Sequence, residues 1–197
     1  MGIVTPNDGE NSAPLQVTIP DSTTRKAQLR NTLRQLAHAA TPPSGPVCEA
    51  VENWLTTQPG LTTIAVFAAL PGEADLAELV ARHPERCWVY PRVNGADLTF
   101  HAVTNPGAEL TRSAFGIREP SPTLAPVACV QIDAFLCPGL AFDTHGGRLG
   151  RGRGYYDRML AGARPTALKI GVCFARQIVP DTFPQSHDVP MDAVISR

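Results

Sequence analysis

Between positions 148 and 154 the chain reads Arg-Leu-Gly-Arg-Gly-Arg-Gly, and this spacing of cations and glycines is chemistry for an anion. Gly150, Gly152 and Gly154 let the backbone take positive φ values, so several N–H groups can converge on one ligand. Arg148, Arg151 and Arg153 supply forked donors of fixed charge that grip phosphate oxygens in pairs, where a lysine acts as a point charge. A helix beginning near Tyr155 adds the positive end of its dipole to the same loop. Asp157, in the first turn of that helix, either balances the arginines or holds a magnesium ion, which takes one or two carboxylates with substrate phosphates and waters.

Two common phosphate motifs fail on spacing. Gly147 and Gly152 fit the glycines of a Walker A loop, but Arg153 and Gly154 stand where Lys and Ser or Thr are needed. A dinucleotide fingerprint on Gly150 and Gly152 would require glycine or alanine at Tyr155.

The elements that must position this loop alternate between helix and strand. Leu29, Leu33, Leu36 and Ala40 fall at i, i+4, i+7 and i+11, predicting a helix from about Thr24 to Ala40 that ends before Pro42-Pro43. Lys26 and Arg30, four apart, project together from it, as a solvated basic face or as part of a site. A second helix is expected over Pro46 to Thr57, with Val47, Val51, Trp54 and Leu55 inward. Thr62 to Ala69 is a continuous apolar, β-branched run suited to the middle of a parallel sheet. Leu70-Pro71-Gly72-Glu73 then breaks it, at the strand end where open α/β sheets place ligands, so Glu73 is a candidate site residue or an ordinary loop carboxylate. A short helix over Ala74 to His83 follows. Strands are expected at Cys87 to Tyr90, at Leu98 to Val103 after an Asn94-Gly95 turn, at Ala134 to Cys137 with Leu140 to Phe142 just beyond, and at Ala167 to Phe174. This alternation predicts an α/β fold with a mostly parallel central sheet flanked by helices.

Residues 1–22 are polar and carry three prolines, which reads as a flexible extension before one domain over 23–197. With 17 basic and 18 acidic residues the net charge is −1, so no global field recruits nucleic acid or an anionic membrane. Five cysteines without C-x-x-C spacing argue against a disulfide framework or zinc site and fit core thiols in a reducing compartment. No apolar run reaches the roughly 18 residues of a membrane span, and no leader pattern opens the chain, which leaves a cytoplasmic location as the expectation.

The stretch Pro138 to Asp143 (PGLAFD), with Gly146, Arg148 to Gly150, Gly152 and Gly154 to Asp157 (G-x-RLG-x-G-x-GYYD), resembles the signature of the 5-formyltetrahydrofolate cyclo-ligase family. The resemblance implies a NagB/RpiA/CoA-transferase-like fold and dependence on ATP and Mg2+. It implies ATP contacts from the K-x-x-x-R pair Lys26 and Arg30 and from Arg148, Leu149, Gly150, Arg151, Gly152, Arg153, Gly154, Tyr155 and Tyr156, although Tyr156 reads equally well as core. Arg148, Arg151 and Tyr155 become the candidate catalytic residues. Phe67 and Glu73 fit the family's F-x-x-x-x-x-E, whose Glu holds the folate, and Tyr155 is also placed against that substrate. Phe115-Gly-Ile-Arg-Glu-Pro120 resembles a stretch whose aromatic lies by the folate ring, so Phe115 stacks on a pterin or tucks onto the core; Arg118 departs from the small or apolar residue expected there. His187 to Val194 resembles the terminal HDVPMD-x-V, which assigns magnesium to Asp157 and Asp192.

The implied reaction is closure of 5-formyltetrahydrofolate to 5,10-methenyltetrahydrofolate by a monomer whose partners are small molecules, with neither nucleic acid nor membrane. Two other readings compete. RLGRGRGYYDR interleaves arginine, glycine and tyrosine like an RNA-binding segment, against which stand its single short copy and the slightly acidic chain. A relative with the same nucleotide loop and another substrate is the second, since fold alone does not fix chemistry.

Overall fold

The computed structural model describes residues 21–37, 41–113 and 116–197. In chain order its elements are α1 (Ser22–Ala37), α2 (Gly45–Thr56), β1 (Thr63–Ala65), α3 (Ala77–Arg82), β2 (Cys87–Asn94), β3 (Asp97–Ala102), α4 (Pro106–Glu109), β4 (Leu110–Arg112), β5 (Arg118–Pro120), β6 (Pro126–Val127), β7 (Ala134–Cys137), β8 (Ala141–Phe142), β9 (Arg148–Leu149), α5 (Tyr155–Ala161), β10 (Leu168–Cys173) and β11 (Ala193–Ser196). The predicted extension lies outside the described residues as far as position 20; Ser22 already begins a helix.

The main sheet runs β11-β10-β7-β1-β2-β3-β6. From β11 to β2 every pairing is parallel, and β3 and β6 then add antiparallel strands. Burial on both faces explains the apolar runs of its central strands. On one face α2 sets Val47, Val51 and Leu55 against Ile64, Leu136, Ile170 and Val172; on the other, Met159 and Leu160 of α5 meet Ala65, Val89, Phe135 and Phe142. Among the described residues no helix is long and apolar enough to cross a membrane.

Three departures from expectation shape the site. β1 is only three residues long, because Val66 makes one more ladder bond (N to Val89 O, 2.9 Å) and the chain then peels away into the Leu70-Pro71-Gly72-Glu73 turn. That turn is held by Glu73 N donating to Leu70 O (2.9 Å) and by Gly72 at φ +86°. Second, β2 continues through Pro91 to Asn94, where a turn centred on Gly95-Ala96 leads into β3. Proline is tolerated there because its missing N–H lies on the same side as Val89 O, beyond the point where β1 has ended.

Third, α1 docks by the other stripe. Leu29 and Leu33 are only half-buried, whereas Lys26 is 3% exposed. The helix reaches the arginine-glycine loop through Arg30 and Arg34, and Lys26 is its buried side chain among those described. Expectations for residues 38–40 lie outside the described residues.

Candidate active site

The chain runs from β1 to β2 in one direction and from β7 through β10 to β11 in the other, which makes β1/β7 the point where strand order reverses. Ligands of open α/β sheets bind outside the carboxyl ends of strands at such a point. A cleft of about 420 Å3 lies there, walled by the segments that leave β1 (Phe67 to Glu73) and β7 (Pro138, Gly139), by the loop 150–154, and by residues of α1, α5 and the β2–β3 hairpin.

The loop is held from beneath by Asp143, which is fully buried. Its Oδ1 accepts N–H bonds from His145 and Gly147 (both 2.9 Å), and its Oδ2 accepts from the N (3.0 Å) and Oγ1 (2.7 Å) of Thr182. Burial pushes the Asp143 pKa up, but bonds from Thr182, Gly147 and His145 outweigh it and hold the carboxyl below its ordinary range. A side chain at Gly147 would put its Cβ 2.2 Å from both Asp143 Oδ2 and Thr182 Oγ1, so only glycine fits the clamp.

Above the clamp the cations are arranged by carboxylates. Arg148, 6% exposed, donates from one terminal nitrogen to Asp157 Oδ1 (2.9 Å) and lies 5.1 Å from the ring centroid of Tyr156; its buried Nε has no protein partner. Arg151 donates through Nε (3.2 Å) and a terminal nitrogen (3.0 Å) to Glu73 Oε1, while Glu73 Oε2 accepts from Leu70 N (3.0 Å). Burial raises the Glu73 pKa in spite of the opposing charge of Arg151. Lys26 is ion-paired with Asp188, Arg30 Nε donates to Gly150 O (3.1 Å), and Arg34 to Arg151 O (2.7 Å). Through these bonds α1 covers one side of the loop. Gly152 and Gly154 take φ values of +99° and +66°, and Arg153 is exposed at the rim.

Within the described residues, this cationic loop on an α/β frame is the arrangement that the signature stretch implies, and the match extends along the chain. The model of the 5-formyltetrahydrofolate cyclo-ligase family matches residues 22–197. The chain belongs to this family. It is 30% identical over 148 residues to the Escherichia coli 5-formyltetrahydrofolate cyclo-ligase, covering 68% of this chain and 77% of that one. It is 40% identical over 88 residues to the Mycolicibacterium smegmatis 5-formyltetrahydrofolate cyclo-ligase, a match spanning 44% of this chain and under half (45%) of the relative. In structure it is similar to the 5,10-methenyltetrahydrofolate synthetase of Aquifex aeolicus, with TM-score 0.73, 30% identity, and coverage of 87% and 89% of the two chains.

Within this cyclo-ligase frame the expected residues sort into groups. Lys26, Arg30, Phe67, Glu73, Arg148, Gly150, Arg151, Gly152, Arg153, Gly154, Tyr155, Tyr156 and Asp157 all line one cleft. Leu149 does not: its side chain is fully buried in β9, and its carbonyl accepts Leu140 N (2.8 Å), which makes it an anchor of the loop. Asp192 is placed apart from these residues. It lies outside the cleft lining, with Oδ2 accepting Lys169 N (2.7 Å) and pairing with Lys169 Nζ (3.2 Å). The carboxylate that shares the cleft with Asp157 is Asp188, from the same HDVPMD stretch, and the neighbouring Val189 N donates to Asp157 Oδ1 at 3.4 Å. Phe115 lies outside the described residues. Sequence reasoning missed Asp188, Glu119 and the apolar wall of Leu70, Pro91, Val93, Leu98 and Ile117. The two carboxylates stood inside motifs already quoted, while the wall carried no local signal.

Proposed function

We propose that the chain closes 5-formyltetrahydrofolate to 5,10-methenyltetrahydrofolate at the expense of ATP. The observation that carries this reading is the two-part lining of the cleft: five cations (Lys26, Arg30, Arg148, Arg151, Arg153) and an apolar set of Phe67, Leu70, Pro91, Val93, Leu98 and Ile117. A triphosphate suits the first and a flat heterocycle the second.

A formyl oxygen is a poor leaving group. In this reading it attacks the γ-phosphorus of ATP, ADP leaves, and the formyl carbon becomes an electrophile bearing a phosphate ester. N10 attacks that carbon and loses its proton, the C–O bond breaks, and phosphate departs carrying the formyl oxygen. Arg151 and Arg148 stabilise charge developing on the transferred phosphoryl group, Lys26 and Arg30 hold the remaining phosphates, and Tyr155 positions the reactants between the two halves. Glu73 aims Arg151. Asp157 and Asp188 are hard oxygen donors on one cleft and suit Mg2+ shared with substrate phosphates, where the ion would neutralise phosphate charge. The acting unit is the single domain of residues 23–197. A cleft completed within one chain suits a monomer whose partners are small molecules, and five unpaired thiols suit a reducing cytoplasm.

The test is near-ultraviolet absorbance of the purified chain mixed with 5-formyltetrahydrofolate, magnesium and ATP, omitting each component in turn. The methenyl product absorbs where the substrate does not, so a band growing only in the complete mixture is expected. Binding of ATP without that band in any mixture would instead indicate a family member with another substrate.

A further inference from the structure

The cleft contains a second buried carboxylate that the reaction scheme leaves without work. Glu119 on β5 is 4% exposed and borders the apolar half, beside Val93, Leu98 and Ile117. Its Oε1 takes one long hydrogen bond, from Val93 N at 3.4 Å. That N–H is available because β1 has already ended alongside β2. Among the described residues no cation pairs with Glu119: the neighbouring arginines turn to backbone, Arg92 to Pro120 O (2.6 Å) and Arg118 to Pro106 O (2.6 Å). Glu73, on the segment that leaves β1, has a different environment, with Oε1 occupied by Arg151 and Oε2 by Leu70 N.

A carboxylate buried among apolar side chains with one weak donor is costly unless something else bonds to it. The missing partner must be flat enough for the apolar wall and must offer N–H donors on one edge. Two adjacent N–H groups meet a carboxylate in parallel, as a guanidinium does. Building on the functional reading above, we infer that Glu119 is the specificity residue for the folate, accepting the ring N–H and the exocyclic amino group of its 2-amino-4-oxo pyrimidine edge.

Calorimetric titration of the full chain with 5-formyltetrahydrofolate and with its 2-desamino analogue, without ATP, tests this. Glu119→Gln keeps the size of the side chain and an acceptor for Val93 N. It should weaken the natural ligand about 10- to 100-fold, the worth of a charged hydrogen-bonded pair. Affinity for the desamino analogue, which keeps only the ring N–H, should fall by a clearly smaller factor, and ATP affinity should match that of the unaltered chain. The unaltered chain itself should prefer the natural ligand over the analogue by a similar factor, a measurement that stands even if the variant does not fold. Equal affinity for the two ligands in the unaltered chain, or equal losses for both in Glu119→Gln, overturns the inference alone. Failure of the unaltered chain to bind 5-formyltetrahydrofolate at all overturns the functional reading and this inference with it.

Discussion

The two halves of the cleft are built by opposite means. The cationic half comes mainly from one short stretch, residues 148–157, seated on the Asp143 clamp and covered by α1. The apolar half is assembled from four separate segments: the chain leaving β1, the two strands of the β2–β3 hairpin, and Ile117 just before β5. In the first half, charge is placed by carboxylates that pair with individual cations; in the second, surface is placed by backbone geometry. A phosphate site needs fixed dipoles and charges aimed in advance, whereas a heterocycle needs area and one or two directed polar groups. Changes to the first half should therefore fall on turnover and fold together, and changes to the second on affinity for one substrate.

The largest effect is expected at Arg151. Arg151→Ala removes a donor to the transferred phosphoryl group, and turnover measured from the methenyl band should fall about 100- to 1,000-fold. It also strands Glu73, whose raised pKa reflects burial opposed chiefly by the Arg151 charge. A carboxyl group with a raised pKa in the folded chain favours folding below its unfolded pKa, and that contribution is lost as pH rises through the folded value. Thermal melts of Arg151→Ala should accordingly worsen more steeply with rising pH than those of the unaltered chain. The double variant Arg151→Ala, Glu73→Gln should recover stability without recovering turnover. Recovery of both would mean that Arg151 serves the fold alone.

Asp143 sharpens the comparison with the opposite sign. Its pKa is lowered by bonds from Thr182, Gly147 and His145 that outweigh burial. A carboxyl group of this kind contributes stability above its unfolded pKa and loses it as pH falls through the folded value. Asp143→Asn should cost about 2–3 kcal/mol near neutral pH, the scale of charged hydrogen bonds lost from a buried site. The deficit should shrink in acid, as the unaltered chain protonates. Denaturant unfolding at several pH values reads both; a deficit independent of pH would assign the loss to shape rather than charge.

The contrast also explains what was legible in the sequence. Arginines and glycines at alternate positions are a local signal, and the strands at Ala134 and Ala167 announced themselves as apolar runs. The apolar wall could not be read because each contributor looks ordinary alone. Pro91 read as the end of a strand, and only the early end of β1 lets β2 run through it. The leucines of α1 gave the right helix, but not whether its basic residues are solvated or part of a site, which the ion pair of Lys26 with Asp188 decides only in the folded chain. Asp188 and Asp192 sit four residues apart in one motif. Lys169 of β10, which engages the second of them, becomes its neighbour only when the sheet forms.

The smallest expected effects separate the halves most cleanly. Leu98 belongs to the apolar lining and is half-buried, so Leu98→Ala should raise the KM for 5-formyltetrahydrofolate by several-fold, the scale of trimming a hydrophobic contact, with kcat nearly unchanged. Arg30 reaches the loop from α1 through Gly150 O, and Arg30→Ala should raise the KM for ATP by a similar factor while leaving that for the folate in place. The two variants combined should give the product of the single effects, since separated sites add in free energy. A combined effect well beyond that product would mean that filling one half reshapes the other, through Tyr155, whose hydroxyl already bonds to Gly95 O (3.3 Å) at the tip of the hairpin. In that event the hairpin would be a moving wall, and Tyr155 would link the phosphate loop to the folate.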